Sequence, residues 1–303
     1  MFVVALASIA AAALLSSTQI ALRRAENLQD SEAAWWYAQG LEAWVSVLLQ
    51  REQQAKQSPE DSLGEAWAQP LTYLPFDRGG VSGGLEDLQG RFNLNNLAAS
   101  NLVDRRFFAQ QFNRLLQSIP GIDPFSTDDL APAIQDWLDP DSEPSGSSGA
   151  ESPYYLSLDP PYRAANRLMV SPSELLAVSG VTPQLYDALR PYVCALPLAG
   201  TKINVNTALA PVLASLASSG PTVGLEGFLK QRVKQPLQSA QAIGQLGFIP
   251  AGLNVSQYLD VHTDYFLLHA HIHVGSADLA LYSVIRRPTS GSAAVIARST
   301  GTE

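Results

Sequence analysis

The chain has 303 residues, room for one or two domains, and 46% of them are hydrophobic against 16% charged, so a disordered chain without a core is excluded. Nineteen basic and 28 acidic side chains give a net charge of -9, which argues against a nucleic-acid partner, because phosphates demand a basic surface. The acid has an address: residues 115–162 carry nine carboxylates and no lysine or arginine, and the rest of the chain is neutral overall.

Residues 1–22 contain no charged side chain, and as a helix they reach ~33 Å, about the thickness of a hydrocarbon core. A cleaved secretory signal is the rival reading. Against it, no basic residue precedes the apolar run, and the helical pattern continues past Ser17. Leu28, Trp35, Leu41, Trp44, Val45, Leu48 and Leu49 recur at spacings of three and four, interleaved with Arg24, Gln29, Glu32, Gln39 and Glu42. The expectation is one helix of some fifty residues, ~80 Å long, with lipid around its first part and a folded domain against its second. No sustained heptad supports a coiled coil. Arg23 and Arg24 follow the span, and charge alone does not fix its orientation.

Ser58-Pro59-Glu60-Asp61 signals the end of that helix. The glycine-rich stretch from Gly79 to Gly84 reads as a turn leading into an extended segment, Leu85 to Leu94. From Ala98 to about Leu246 the pattern is helical in short pieces. Arg105 to Ile119 is one, a helix-start signal at Thr127-Asp128-Asp129 opens another, Ser171 with Glu174 forms a capping box, and Asn206 to Ser218 is a further helix. The period then changes to two. Tyr265 to Val274 alternates as a strand, Gly275-Ser276 makes a tight turn, and Asp278 to Arg286 returns as the second strand of a hairpin. The tail, 288–303, is rich in Ser, Thr, Gly and Ala and is expected to be disordered. Strand-forming segments thus bracket a helical region, which predicts an α+β protein with a helical domain inserted into a small helix-plus-sheet domain.

Four features bear on chemistry. Cys194 is the single cysteine, so no intrachain disulfide forms, and its apolar neighbours predict a buried thiol. His269, His271 and His273 lie on one strand face, but three imidazoles in a straight row diverge over ~14 Å, so a solvated or partner-facing surface is favoured over a closed zinc site. Asp139, Asp141 and Glu143 alternate on a loop that continues through Ser-Gly residues to Glu151. Such carboxylates repel one another unless a hard cation such as Ca2+ sits among them, and the rival reading is a solvated flexible loop. An EF-hand is excluded, since Pro144 stands where that loop needs glycine. Finally, Ile203-Asn204-Val205-Asn206-Thr207-Ala208 looks like the opening of a helix-hairpin-helix unit spanning about 203–246. Lys230, Arg232 and Lys234 follow it, but the acidic total favours a structural helical pair over a DNA contact.

Several of these segments, taken in order, resemble the K-type minor pseudopilins of bacterial type II secretion systems. They are Leu22-Arg23-Arg24-Ala25-Glu26-Asn27-Leu28, Trp36-Tyr37-Ala38-Gln39-Gly40-Leu41-Glu42-Ala43-Trp44, Leu63-Gly64-Glu65-Ala66-Trp67-Ala68 and Asp87-Leu88-Gln89-Gly90-Arg91-Phe92-Asn93-Leu94-Asn95. Asp136-Trp137-Leu138-Asp139, Tyr162-Arg163-Ala164-Ala165-Asn166 and Asn204-Val205-Asn206-Thr207-Ala208 complete the series. The resemblance implies a pilin-like fold, a long N-terminal helix on a small antiparallel sheet, interrupted by a large inserted α-helical domain. Its parts would be a transmembrane segment at 1–22, pilin-like helix and first strands at 23–97, the insertion at 98–246, and a C-terminal hairpin at 255–287. It also implies a single-pass inner-membrane anchor with the body in the periplasm, and a non-enzymatic place at the pseudopilus tip. The partners implied are I-type and J-type minor pseudopilins, the major pseudopilin filament and lipid, with no nucleic acid. It further implies calcium in the helical domain, with Asp139, Asp141, Glu143 and Glu151 as ligands. The competing classes are a minor pilin of a type IV pilus, a periplasmic DNA-uptake factor, and a hydrolase on a membrane stalk.

Overall fold

The structure is a computed structural model that describes residues 1–55, 60–122, 130–217 and 223–301. Ser58 and Pro59 of the helix-ending signal, Thr127-Asp128-Asp129 and the turn Ser218-Ser219-Gly220-Pro221 lie outside the described residues.

Helix α1 runs from Phe2 to Ala55. Residues 2–29 of the helix are all exposed, and an 18-residue window there has a mean hydropathy of 1.8, long and apolar enough to cross a membrane. The second half lies on a five-stranded antiparallel sheet built from β1 (Leu71–Phe76), β2 (Gly79–Asp87), β7 (Tyr265–Val274), β8 (Ala277–Arg286) and β9 (Ala294–Thr300), in that spatial order. The buried stripe of α1 differs from the one its large apolar residues suggest. Asp30, Ala34, Ala38, Glu42, Val45 and Leu49 face the sheet, while Leu28, Trp36 and Trp44 are exposed. Alanines let the helix approach the sheet closely, and the two carboxylates are buried because each has partners. Asp30 Oδ2 accepts from the Ser276 amide (2.9 Å) and its Oδ1 pairs with Arg78 (2.8 Å). Gly275 has φ +56, and a Cβ there would overlap the Asp30 carboxylate, so this turn requires glycine. Glu42 accepts from Ser283 Oγ (2.5 Å) and from the Arg298 guanidinium.

Two expectations are corrected here. The tail is not disordered across residues 294–300: these form β9, paired with β8, and Arg298 is tied to Glu42 on α1 and lies over the Trp35 ring. The glycine-rich segment is not a turn but the body of β2, where the Tyr73 ring takes the space that a side chain at Gly80 would fill.

Between β2 and β7 the chain leaves the sheet and builds the helical domain. Its core joins Phe92, Leu94 and Leu97 to Leu259 and Val261, so it extends beyond 98–246 at both ends. The domain repeats one device. In the first copy, β3 (Phe92–Asn93) pairs in parallel with β4 (Val193–Cys194), and Asn95 both donates to and accepts from the backbone of Met169 (2.9 and 2.8 Å). In the second, β5 (Ile203–Asn204) pairs in parallel with β6 (Leu259–Asp260), and Asn206 makes the same two bonds to Leu237 (both 2.9 Å). Helices α2 (Leu102–Ser118), α3 (Leu130–Leu138), α4 (Ser152–Leu156) and α5 (Pro183–Leu189) belong to the first copy. The short helices α6 (Ala210–Ala214), α7 (Leu225–Gln231), α8 (Ala240–Ile243) and α9 (Val255–Tyr258) belong to the second. The capping box at Ser171 and Glu174 is present on a 3-10 turn, Pro172–Ala177. The expected helix from Asn206 shrinks to α6, because Asn204 and Asn206 are committed to β5 and to the Leu237 backbone. Arg232 is turned inward and donates to the Val205 carbonyl (2.7 Å), so the basic trio 230–234 is not a surface patch. Asn95 is fully buried, and Asn95→Ala removes one side of three backbone bonds. It is expected to lower unfolding stability by about 2–3 kcal/mol, measured by urea titration.

Candidate metal centre

The acidic loop leaves the C-terminal end of α3 and returns at α4. Asp136, on the last turn of α3, is fully buried, and its Oδ1 accepts from the Ser145 amide (2.9 Å). One turn on, Asp139 reaches the same side. Asp141 Oδ1 accepts from the Glu143 amide (2.8 Å), and its carbonyl accepts from Asn166 Nδ2 (2.8 Å), which folds the loop back onto the Tyr162–Asn166 segment. Glu151 precedes α4, with 3% of its surface exposed. One carboxylate oxygen each from Asp139, Asp141 and Glu151 lies within 4.8 Å of the others. Oxygens that share one Ca2+ at ~2.3–2.6 Å stand no more than about 5 Å apart, so this spacing fits.

The electrostatics point the same way. Burial pushes the Asp139 carboxyl above its ordinary range, helped by Asp141 and Asp136. Burial also raises Glu151, helped by Asp136 and opposed by the Ser152 amide. Asp136 Oδ2, Asp139 Oδ1, both Glu151 oxygens and Asn166 Oδ1 are buried and make no hydrogen bond of good geometry among the described residues. Buried anions and acceptors in this condition cost free energy unless a cation collects them. An all-oxygen set of this kind suits a hard divalent ion.

Of the four ligands expected from the resemblance, the fold gathers Asp139, Asp141 and Glu151, while Glu143 stays exposed outside the group. Asp136 and Asn166 are additions. The spacing of Asp136 three residues before Asp139 on a helix was a legible signal; Asn166, held at φ +47, had none.

Comparison with known proteins places the chain. Residues 90–198 match the family described as "Type II secretion system (T2SS), protein K". That match spans the first of the two repeats. Type II secretion system protein K of Aeromonas hydrophila is 34% identical, the alignment covering 93% of this chain and 89% of that one. The chain belongs to the type II secretion protein K family. Protein K of Pseudomonas aeruginosa is likewise 34% identical, over 99% of this chain and 90% of its own length. The fold matches a chain of the GspK-GspI-GspJ complex from enterotoxigenic Escherichia coli with a TM-score of 0.82 at 25% identity, covering 92% of this chain and 100% of that one.

In this K-family chain the two ends of the pilin body are distinct. Asp30 joins α1 to the turns at Arg78 and Ser276, where the apolar half of the helix departs. The helical domain is attached at the opposite ends of β2 and β7, where Asp87 pairs with Phe266. Strands of this length separate the two points by ~30 Å. The insertion therefore overhangs the end of the body away from the apolar anchor.

Proposed function

We propose that the chain is a non-enzymatic minor pseudopilin at the tip of the type II secretion pseudopilus, starting or capping its assembly for export across the outer membrane. Residues 1–22 hold it in the inner membrane as a single span, and the folded body lies in the periplasm. The observation that carries this reading is the position of the helical domain, inserted between β2 and β7 at the end remote from the anchor. A filament grows from the membrane by stacking bodies around packed helices, and a domain overhanging the far end obstructs any subunit above it while leaving α1 free to pack below.

I-type and J-type minor pseudopilins are the partners this reading requires, with the major pseudopilin filament and lipid beneath them and no nucleic acid. In support, a solved structure whose fold this chain matches is a GspK-GspI-GspJ complex. Support also comes from α1, whose Trp36 and Trp44 are 69% and 55% exposed on the side of the helix away from its buried stripe. Exposed tryptophans of this size are the usual anchors of an interface. The test is recovery of I-type and J-type proteins with the tagged full chain in detergent. Trp36→Asp with Trp44→Asp is expected to leave the melting temperature within a few degrees and to cut recovery on the order of tenfold or more. Undiminished recovery would remove α1 from the interface.

Calcium belongs to the same proposal. Asp139, Asp141 and Glu151 would hold the ion, with Asp136 and Asn166 offering further oxygens, and it would supply the charge that makes burial of these groups favourable. At ten times its Kd, Ca2+ is expected to add ~1.4 kcal/mol to unfolding stability. Glu151→Gln is expected to stabilise the calcium-free protein, by removing a buried uncompensated charge, and to abolish the gain from calcium. Melts with Ca2+ and with chelator that coincide for the unmutated chain would count against the site.

A further inference from the structure

The outward face of β7 carries a second group of metal-binding side chains that pseudopilus assembly does not explain. His269, His271 and His273 occupy alternate positions, so neighbouring imidazoles are attached ~6.6 Å apart on the same side of the strand. The residues beside them in the ladder are mostly small: Gly84 next to His269, Ser82 and Ala280 on either side of His271, and Gly80 next to His273. The Tyr73 ring lies over Gly80 beside His273, while His271 stands between two small neighbours. His271 is exposed and makes no hydrogen bond or ion pair among the described residues.

His273 is arranged differently from a free surface imidazole. Its Nδ1 is 2.9 Å from Asp278 Oδ1, on the partner strand directly opposite. A carboxylate on Nδ1 fixes the tautomer and the ring orientation and leaves Nε2 as a lone-pair donor, which is the support that metal-binding histidines ordinarily have. His269 has a weaker version, with Nδ1 3.5 Å from Glu86 and its ring lying over Gly84. Three imidazoles in a row cannot enclose one ion, as the straight strand dictates, but two adjacent ones can grip it.

We propose that His271 and His273, with Asp278 behind His273, form an open chelating site for a divalent transition metal of the imidazole-preferring class, such as Zn2+, Ni2+ or Cu2+. The remaining coordination positions face outward, to water or to a side chain of a neighbouring subunit. His269 is a subsidiary donor. The ligand set is nitrogen-based and so distinct in metal preference from the carboxylate loop, which takes hard cations.

The test is Ni2+ titration by calorimetry of the full chain in detergent, purified without a polyhistidine tag and with Ca2+ present to occupy the acidic loop. One Ni2+ is expected per chain. His271→Ala and His273→Ala are each expected to weaken binding on the order of tenfold or more, because each turns a chelate into a single-point contact. His269→Ala is expected to stay within about twofold, and Asp278→Asn to weaken binding several-fold through the imidazole it supports. Asp139→Asn, in the other site, is expected to change nothing. Absence of Ni2+ uptake below ~1 mM, or unmutated affinity in His271→Ala, would overturn the proposal.

Discussion

Asp61→Ala is expected to lower unfolding stability by about 3–5 kcal/mol, among the largest effects available to one side chain in this protein. Asp61 is fully buried beyond the end of α1, and its Oδ2 collects the Arg287 guanidinium (2.5 Å), His262 Nδ1 (2.8 Å) and the Thr263 amide (2.8 Å). Arg287 is 1% exposed and lies over the Phe266 ring, so removing the carboxylate leaves a buried cation without a counter-ion. The damage reaches both domains. Asn204, in the second repeat of the insertion, donates to the Asp61 carbonyl (3.1 Å) and to Asp87 at the end of β2 (2.9 Å), and Thr207 also donates to Asp87 (2.6 Å). The cluster is therefore the fastening between the helical domain and the pilin body. Urea unfolding is the measurement, and a loss below about 1 kcal/mol would show that the fastening lies elsewhere.

The same cluster sets a pH dependence with a definite sign. Burial pushes the His262 pKa down, but its bonds to Asp264 and Asp61 outweigh burial and the opposing Arg287, lifting it to about 9. A histidine raised from 6.5 contributes stability that is complete below pH ~6.5 and disappears as pH rises through about 9. The expected decline between pH 6.5 and 10 is about 2–3 kcal/mol, and His262→Gln is expected to flatten it. A wild-type profile that is already flat over that interval would contradict the pairing.

What could be read from the residues, and what could not, divides by sequence separation. The long helix and the Tyr265–Arg286 hairpin rest on unbroken local periodicities, 3.6 and 2, and the structure follows both closely. Strand β9 is not legible in the sequence because its own composition is that of a flexible tail. It is held by Arg298 bonded to Glu42, 256 residues away, and no local pattern carries that information. The glycines of β2 suggested a turn for a similar reason, since the Tyr73 ring that covers Gly80 belongs to the neighbouring strand. Asn204-Val205-Asn206 reads as an opening motif, but its likeness to Asn93-Leu94-Asn95 rests on both second asparagines clamping a distant backbone segment, at Met169 and Leu237. In the metal loop, Asp139, Asp141 and Glu143 stand out as an alternating series, of which the fold brings only the first two together with Glu151, the fourth ligand that the resemblance implies. Asn166 enters only because the loop folds back on it.

Excising the insertion is expected to separate folding from function. Because Asp87 pairs with Phe266, residues 88–265 can be replaced by Asn-Gly, whose type I′ turn joins antiparallel strands. The pilin core draws on Ala34, Val45, Trp67, Val81, Ile272, Leu281 and their neighbours, and among the described residues none of its buried members lies between 88 and 265. The shortened chain is thus expected to fold, insert in the membrane and melt cooperatively, although it loses the His262 and Thr263 contacts to Asp61. If the overhanging domain defines the tip, cells carrying only this chain should show pseudopilus numbers and secretion at the level of cells with no protein K. Recovery of I-type and J-type partners through α1 should persist, which separates a missing cap from a missing complex. Normal pseudopili assembled on the shortened chain would sink the tip reading, because the feature that obstructs stacking would then be dispensable.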